Sequence, residues 1–343
     1  MTNLQMIVKT VAQIALSLFP VIIFLLSLEL IDTYRLVPLR RVVRTVAIGC
    51  GAAAVCWLFS TALYATGMVS PRLWIRSGAP VVEEALKALY VVWLIRGNRV
   101  GFMVDAAISG FAIGAGFSLI ENLTYIPSLA AAGLLASAVR GLGTAMMHGG
   151  TTAIFAVLST NLAEIRGEAP ASVFAPGLAL AVSIHVLFNQ PLLPPVYEAV
   201  LILVGLPVLL SLIFWRSELA LENWVGTRLD KDIDLVEMMA TSKFSATPAG
   251  KYLQSLQSTF ASEVVGDMVC YLQLSLELSV RAKGDLLRRE MGCPVSMDLE
   301  LPSRLRELHW LESKIGRAGK LALAPLLGQN RRDIWEIEQL ARE

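Results

Sequence analysis

Within the apolar run 80–95, the hexapeptide Val82-Glu83-Glu84-Ala85-Leu86-Lys87 places three charges within five residues. A charge near the middle of a membrane helix costs about 2.5–3.5 kcal/mol on insertion scales, so a cluster like this needs partners from other helices. On a helix, Glu83 and Lys87 share a face, which predicts that these two pair, while Glu84 is turned about 100° away. Three other apolar stretches offer partners at the same spacing: Phe117-x-x-x-Glu121, His148-x-x-x-Thr152 and His185-x-x-x-Asn189. The four pieces are expected to converge on one site.

The rest of the chain divides by charge. Residues 1–215 hold 12 Lys/Arg and 9 Asp/Glu, against 17 and 19 in residues 216–343, and the mean hydropathy of the whole is +0.61. This predicts an all-α fold: a polytopic membrane helical bundle over 1–215, followed by a cytoplasmic helical domain over 216–343. Seven spans are read at 6–30, 44–67, 80–95, 103–126, 142–162, 172–191 and 195–215. The stretch 128–140 reads as an extra interfacial helix, or as the first half of a long fifth span. Arg35, Arg40, Arg41, Arg44, Arg96, Arg99, Arg166 and Arg216 fall on one side if the N-terminus is outside and the tail inside. Lys9, Arg72, Arg76 and Arg140 oppose that assignment but are fewer. It sets all four polar clusters in the outer half of the membrane. Gly110-x-x-x-Gly114, followed by Gly116, is a small-residue face for close helix packing. The tail reads as amphipathic helices over 230–244, 248–291, 302–327 and 331–342. The four cysteines match no zinc spacing, and a net charge of +1 gives no basis for binding nucleic acid.

The order Glu-Glu-x-x-Lys, Phe-x-x-x-Glu, His, His-x-x-x-Asn resembles the PrsW family of intramembrane proteases. That family shares a superfamily with the type II CAAX prenyl endopeptidases and their bacterial relatives. By motif the resemblance covers residues 80–191, and it leaves the tail untouched. It implies an intramembrane endopeptidase of a bacterial cytoplasmic membrane, cutting a membrane-anchored protein such as a single-pass anti-sigma factor near the outer face. The residues expected to do the chemistry are Glu83, Glu84, Glu121, His148, His185 and Asn189, with Lys87 and Thr152 in support.

Buried carboxylates suit general-base work on a water, and His185 and Asn189, one turn apart, suit an oxyanion. If Lys87 holds Glu83 ionised, Glu84 is the better proton shuttle. The prenyl endopeptidases carry histidine where this chain has Glu121, so either His148 takes that role or the site is a metal centre. In the metal alternative, Glu84, Glu121, His148 and His185 would hold zinc or another divalent ion. The absence of a His-Glu-x-x-His motif and the resemblance to the prenyl endopeptidases favour catalysis without a cofactor. Two rival functions stand beside the protease: a catalytically silent scaffold acting through its cytoplasmic domain and a protein partner there, and a proton-coupled carrier. The carrier would show an inverted repeat, and none is visible. Asn122 and Arg140 read as interfacial anchors, Asp105 as helix-start chemistry and His309 as incidental. Thr152 also suits a bond back to the His148 carbonyl.

Overall fold

The computed structural model describes residues 36–129, 134–190, 195–241, 244–295, 298–327 and 331–340, with seven isolated positions before residue 36. The first expected span, 6–30, lies largely outside the described residues. The structure is 87% helical, with no strand among the described residues.

The helices are α1 (Leu39–Ala65), α2 (Ala79–Arg96), α3 (Met103–Leu129), α4 (Leu134–Arg166), α5 (Ala175–Phe188) and α6 (Pro195–Ala240), then α7 (Pro248–Ser255), α8 (Ser262–Glu290), α9 (Leu301–Leu327) and α10 (Arg331–Leu340). Among the described residues, three stretches are long and apolar enough to cross a membrane: Leu39–Ala65, Met103–Thr124 and Ala171–Phe188, the last including a short 3-10 turn before α5. The chain forms two compact units, Met1–Glu218 and Leu219–Glu343, and the division falls inside α6.

In the first unit α3 is the central helix. Its membrane-length window is 83% buried, against 17% for α1, whose Trp57, Leu58 and Phe59 stand exposed as lipid-facing residues would. Glycine is what lets α3 sit in the middle. A Cβ at Gly114 would lie 2.0 Å from the His148 carbonyl oxygen, one at Gly110 2.6 Å from that of Thr152, and one at Gly116 2.1 Å from that of Val46. The small-residue face thus meets α4 through Gly110 and Gly114, and α1 through Gly116. No larger residue fits without driving the helices apart. Helix α2 packs on α1, α4 and α5. It is entered through a π-helical turn, Trp74–Gly78, pinned by the Trp74 indole N–H on Ser60 Oγ at 3.1 Å.

The second reading of 128–140, as the first half of a long fifth span, holds for residues 134–140, and two other boundaries differ from expectation: α6 runs unbroken across 215–230, and 248–291 is not one helix. Residues 134–140 belong to the same helix as the fifth expected span, so α4 runs for 33 residues, about 50 Å at 1.5 Å per residue. The tail stretch 248–291 is interrupted between α7 and α8. There the hydroxyls of Ser255 and Ser258 bond back to the carbonyls of Tyr252 and Ser255 and compete with helix continuation.

The second unit is a helical bundle. Met268, Leu272, Leu276 and Leu278 of α8 pack with Leu305, Leu308, Leu311 and Ile315 of α9 around one apolar core. Helix α9 bends at Gly316, whose φ of +64° and ψ of −172° lie in a region essentially closed to residues bearing a Cβ.

Candidate active site in the first unit

Four helices bring their polar side chains together. Helix α2 supplies Glu83, Glu84 and Lys87, α3 supplies Glu121, α4 supplies His148 and Thr151, and α5 supplies His185. Glu84, Lys87, His148, Thr151 and His185 are each at most 2% exposed. Groups this polar survive burial only when hydrogen-bonded, and these are.

Lys87 is the hub of one side. Its Nζ lies 2.7 Å from Glu84 Oε1 and 3.0 Å from His148 Nδ1, and 5.1 Å from the centre of the Phe117 ring. An ammonium only donates, so His148 Nδ1 accepts and the ring proton sits on Nε2, where Glu121 Oε2 receives it. Phe117 packs against the same imidazole at 4.8 Å between ring centres.

Glu84 is the hub of the other side. Its Oε1 also accepts from His185 Nδ1 at 2.8 Å and faces the Thr151 hydroxyl at 3.2 Å. With Nδ1–H committed to that carboxylate, His185 presents an unprotonated Nε2, 3.7 Å from Glu83 Oε2. A carboxylate that fixes the outer nitrogen of a histidine so that the inner one stays free is the standard support for a metal-bound imidazole. The pairing of Lys87 with Glu84 replaces the Glu83–Lys87 pair expected from spacing. Three and four residues apart are both neighbours on a helix, and Thr151 and His185 lie on the Glu84 side.

One donor atom from each of Glu83, His148 and His185 lies within 4.8 Å of the others. One carboxylate and two imidazoles form a donor set that zinc accepts, with further positions left for water and substrate, so the residues present fit a divalent ion. Both nitrogens of His148 are engaged. Ligation through Nε2 would pass its proton to Glu121, which is already in contact, and ligation through Nδ1 would displace Lys87. Glu84, expected among the ligands, has instead Lys87, His185 and Thr151 around one oxygen. Glu83 and Glu121 are the partly exposed carboxylates, 19% and 25% by side chain.

Asn189 does not join the cluster. It closes the C-terminal end of α5 and donates its amide to the Ile75 carbonyl at 2.9 Å, while Gln190 reaches the Arg76 carbonyl at 3.3 Å. Both carbonyls belong to the π-helical turn, so the pair ties the end of α5 to the entry of α2. Thr152 bonds back to the His148 carbonyl at 2.9 Å. Asn122 donates to the Gly141 carbonyl at 3.1 Å and so holds α3 to α4. Asp105 accepts the backbone N–H groups of Gly101 and Phe102 at the start of α3. The Arg140 side chain lies outside the described ones. His309, in the second unit, bonds the Leu305 carbonyl. Thr151 is the participant that spacing did not single out. The signal for it was its place three residues after His148, on the face that looks toward α2.

No curated protein and no solved structure matches the chain. The sequence model of one family, described as PrsW family intramembrane metalloprotease, matches residues 37–215, just over half of the chain.

Proposed function

From the premise that the chain belongs to the PrsW family of intramembrane metalloproteases, and is thus a membrane-embedded peptidase, we propose that it hydrolyses a peptide bond of a membrane-anchored protein at the cluster of Glu83, Glu84, Glu121, His148 and His185. The observation that carries this reading is the approach of Glu83, His148 and His185, from three helices, within 4.8 Å of one another. These three residues would hold the metal. A divalent ion there would acidify a bound water and polarise the scissile carbonyl.

Each surrounding side chain has a separate task. Glu84 keeps the His185 proton on Nδ1 and so keeps Nε2 free. Lys87 balances the buried Glu84 charge and holds the His148 ring through Nδ1. Glu121, partly exposed, would release to solvent the proton it receives from His148 Nε2, then take one from the attacking water and return it to the leaving amine. Asn189 acts one step removed, by anchoring the segment that carries Glu83 and Glu84. The family's description favours this metal-bearing reading over the cofactor-free one.

The membrane unit crosses the bilayer seven times, with the N-terminus outside and residues 216–343 in the cytoplasm. The arginine distribution supports this arrangement, and it sets the cluster in the outer half of the membrane. A single-pass anti-sigma factor of a bacterial cytoplasmic membrane is a substrate of the right chemistry.

The test uses purified protein and a panel of single-pass substrates. Cleavage is compared for wild type and for Glu83→Gln, Glu84→Gln, Glu121→Gln, His148→Ala and His185→Ala, each with and without a chelator. The expected result is loss of cutting in every variant, and chelator inhibition of the wild type that added zinc reverses. Cutting that survives the histidine substitutions would overturn the assignment of the site. Chelator-resistant cutting lost with Glu121→Gln would overturn the metal alone.

A further inference from the structure

One buried stripe of α8 in the second unit is polar where leucine would be expected: Tyr271, Ser275, Ser279 and Lys283 follow one another at four-residue spacing. The last two meet a carboxyl group from each of two other helices. Lys283 Nζ lies 2.8 Å from Asp232 Oδ2 of α6, 2.7 Å from Glu336 Oε2 of α10 and 2.6 Å from Ser279 Oγ. Ser279 Oγ in turn lies 2.7 Å from Asp232 Oδ2 and in close contact with Glu336 Oε1.

Proton counting fixes the charge of this cluster. An ammonium only donates, so Ser279 Oγ accepts from Lys283 and has a single proton of its own to set between two carboxyl oxygens. Both of those contacts are hydrogen bonds only if one carboxyl is protonated. The Glu336 side chain is 1% exposed against 16% for Asp232, so Glu336 is the better place for that proton. Burial raises its carboxyl to about 7, against the pull of Lys283 and the Ser279 hydroxyl, with Asp333 adding to the rise. The charged and titratable groups around it come from three helices: Arg228 and Asp232 from α6, Lys283, Asp285 and Arg289 from α8, and His309, Glu312 and Lys320 from α9. Arg228 reaches Asp333 of α10, Asp285 reaches Arg281 and Arg288, and Glu312 reaches Lys320. Asp232 and Lys283 are the two that share Ser279 with Glu336.

Glu336 lies in the face by which α10 packs on α8, between the buried Trp335 and Leu340. We propose that α10 is a proton-operated latch, held firmly to the bundle while Glu336 is neutral and released more readily once that carboxyl ionises. With both carboxyls charged, two anions face one ammonium and compete for one serine proton. Undocked, Glu336 stands in water and titrates near 4.5. Docking is therefore at full strength below about pH 4.5, weakens as pH rises, and levels off above about pH 7. Release of α10 also removes Asp333, Ile334, Glu336 and Ile337 from the wall of a cavity of about 440 Å³.

The test is hydrogen exchange of the full chain in lipid nanodiscs, read by mass spectrometry from pH 5 to pH 8 and corrected for the intrinsic pH dependence of amide exchange. Peptides covering 331–340 are expected to exchange faster than those covering 268–278 of α8 at every pH, because the latch opens without the bundle unfolding. Their protection should fall by about 70-fold across the range, most of it below pH 7. Glu336→Gln keeps this position neutral throughout, so its protection stays level. Asp232→Asn leaves one carboxyl for one ammonium, so Glu336 ionises while docked and the fall shrinks. Wild-type protection of 331–340 that is level or rises with pH would overturn the proposal, as would a fall that Glu336→Gln leaves unchanged. Equal protection of the two regions at each pH would also overturn it, since α10 would then open only with the whole unit. The wild-type profile needs no substitution, so it decides the matter even if a variant fails to fold.

Discussion

Each unit buries a lysine among carboxylates, and the two clusters solve the same electrostatic problem differently. Lys87 has one carboxylate partner, Glu84, and spends a second donor on a neutral imidazole. Lys283 has two carboxylates and a serine. The first network is closed, with one contact made within α2 and the rest by α3, α4 and α5. The second sets two carboxyls against one ammonium, and burial answers the mismatch by pushing the Glu336 carboxyl up to about 7. A fully paired network fixes geometry, which hydrolysis demands, whereas one with a spare carboxyl answers to pH.

The sharpest way to break this contrast is Lys87→Met. It strands Glu84 in a dry interior, and loss of one partner of a buried pair costs about 3–5 kcal/mol. Hydrolysis should disappear with it. Adding Glu84→Gln should recover much of the stability and none of the activity. Denaturation followed by tryptophan fluorescence checks this, and a Lys87→Met protein as stable as wild type would end the distinction. Lys283→Met should fall at the lower end of that range, because Glu336 can keep its proton and Asp232 is partly exposed.

A second test uses pH. Burial pushes the Glu336 carboxyl up to about 7, against the pull of Lys283 and the Ser279 hydroxyl, with Asp333 adding to the rise. The folded protein therefore keeps this proton where the unfolded chain, titrating near 4.5, has lost it. Stability should fall as pH rises from about 4.5 to about 7, by about 3 kcal/mol for this group, and stay level above. Glu336→Gln should flatten that segment of the profile. An unchanged slope would mean that Glu336 is not the group that keeps its proton on folding.

The smallest effect expected is that of Asn189→Ala. Loss of one hydrogen bond to the π-helical turn should cost about 1 kcal/mol and lower the cleavage rate without abolishing it. Complete loss of activity with unchanged stability would return Asn189 to the reacting centre.

The convergence of four helices was legible in the sequence because charges in apolar helices are expensive, and Glu84, Lys87, Glu121, His148 and His185 had no other place to be satisfied. The finer pairings were less so. Glu83 and Glu84 are both within helical reach of Lys87, and only tertiary neighbours on α4 and α5 decide between them. Asn189 stands one turn beyond His185, as the two functional residues of one face would, but the helix ends there and its amide serves the carbonyls of another segment. In the second unit, the polar stripe on α8 was present in the spacing of Tyr271, Ser275, Ser279 and Lys283. A serine at such a position reads as amphipathic variation until its burial is seen. The continuity of α6 was not legible either: it runs on past Trp215, with neither proline nor a turn cluster to interrupt it before Ala240.

The contact between Gly114 and the His148 carbonyl has a mechanical consequence. Because α3 and α4 touch main chain to main chain there, the imidazole inherits its position from the paths of two backbones rather than from a cushion of side chains. The two helices form a single strut. A change in bilayer thickness will tilt them together, and the distance between His148 and Glu121 will travel with them unchanged.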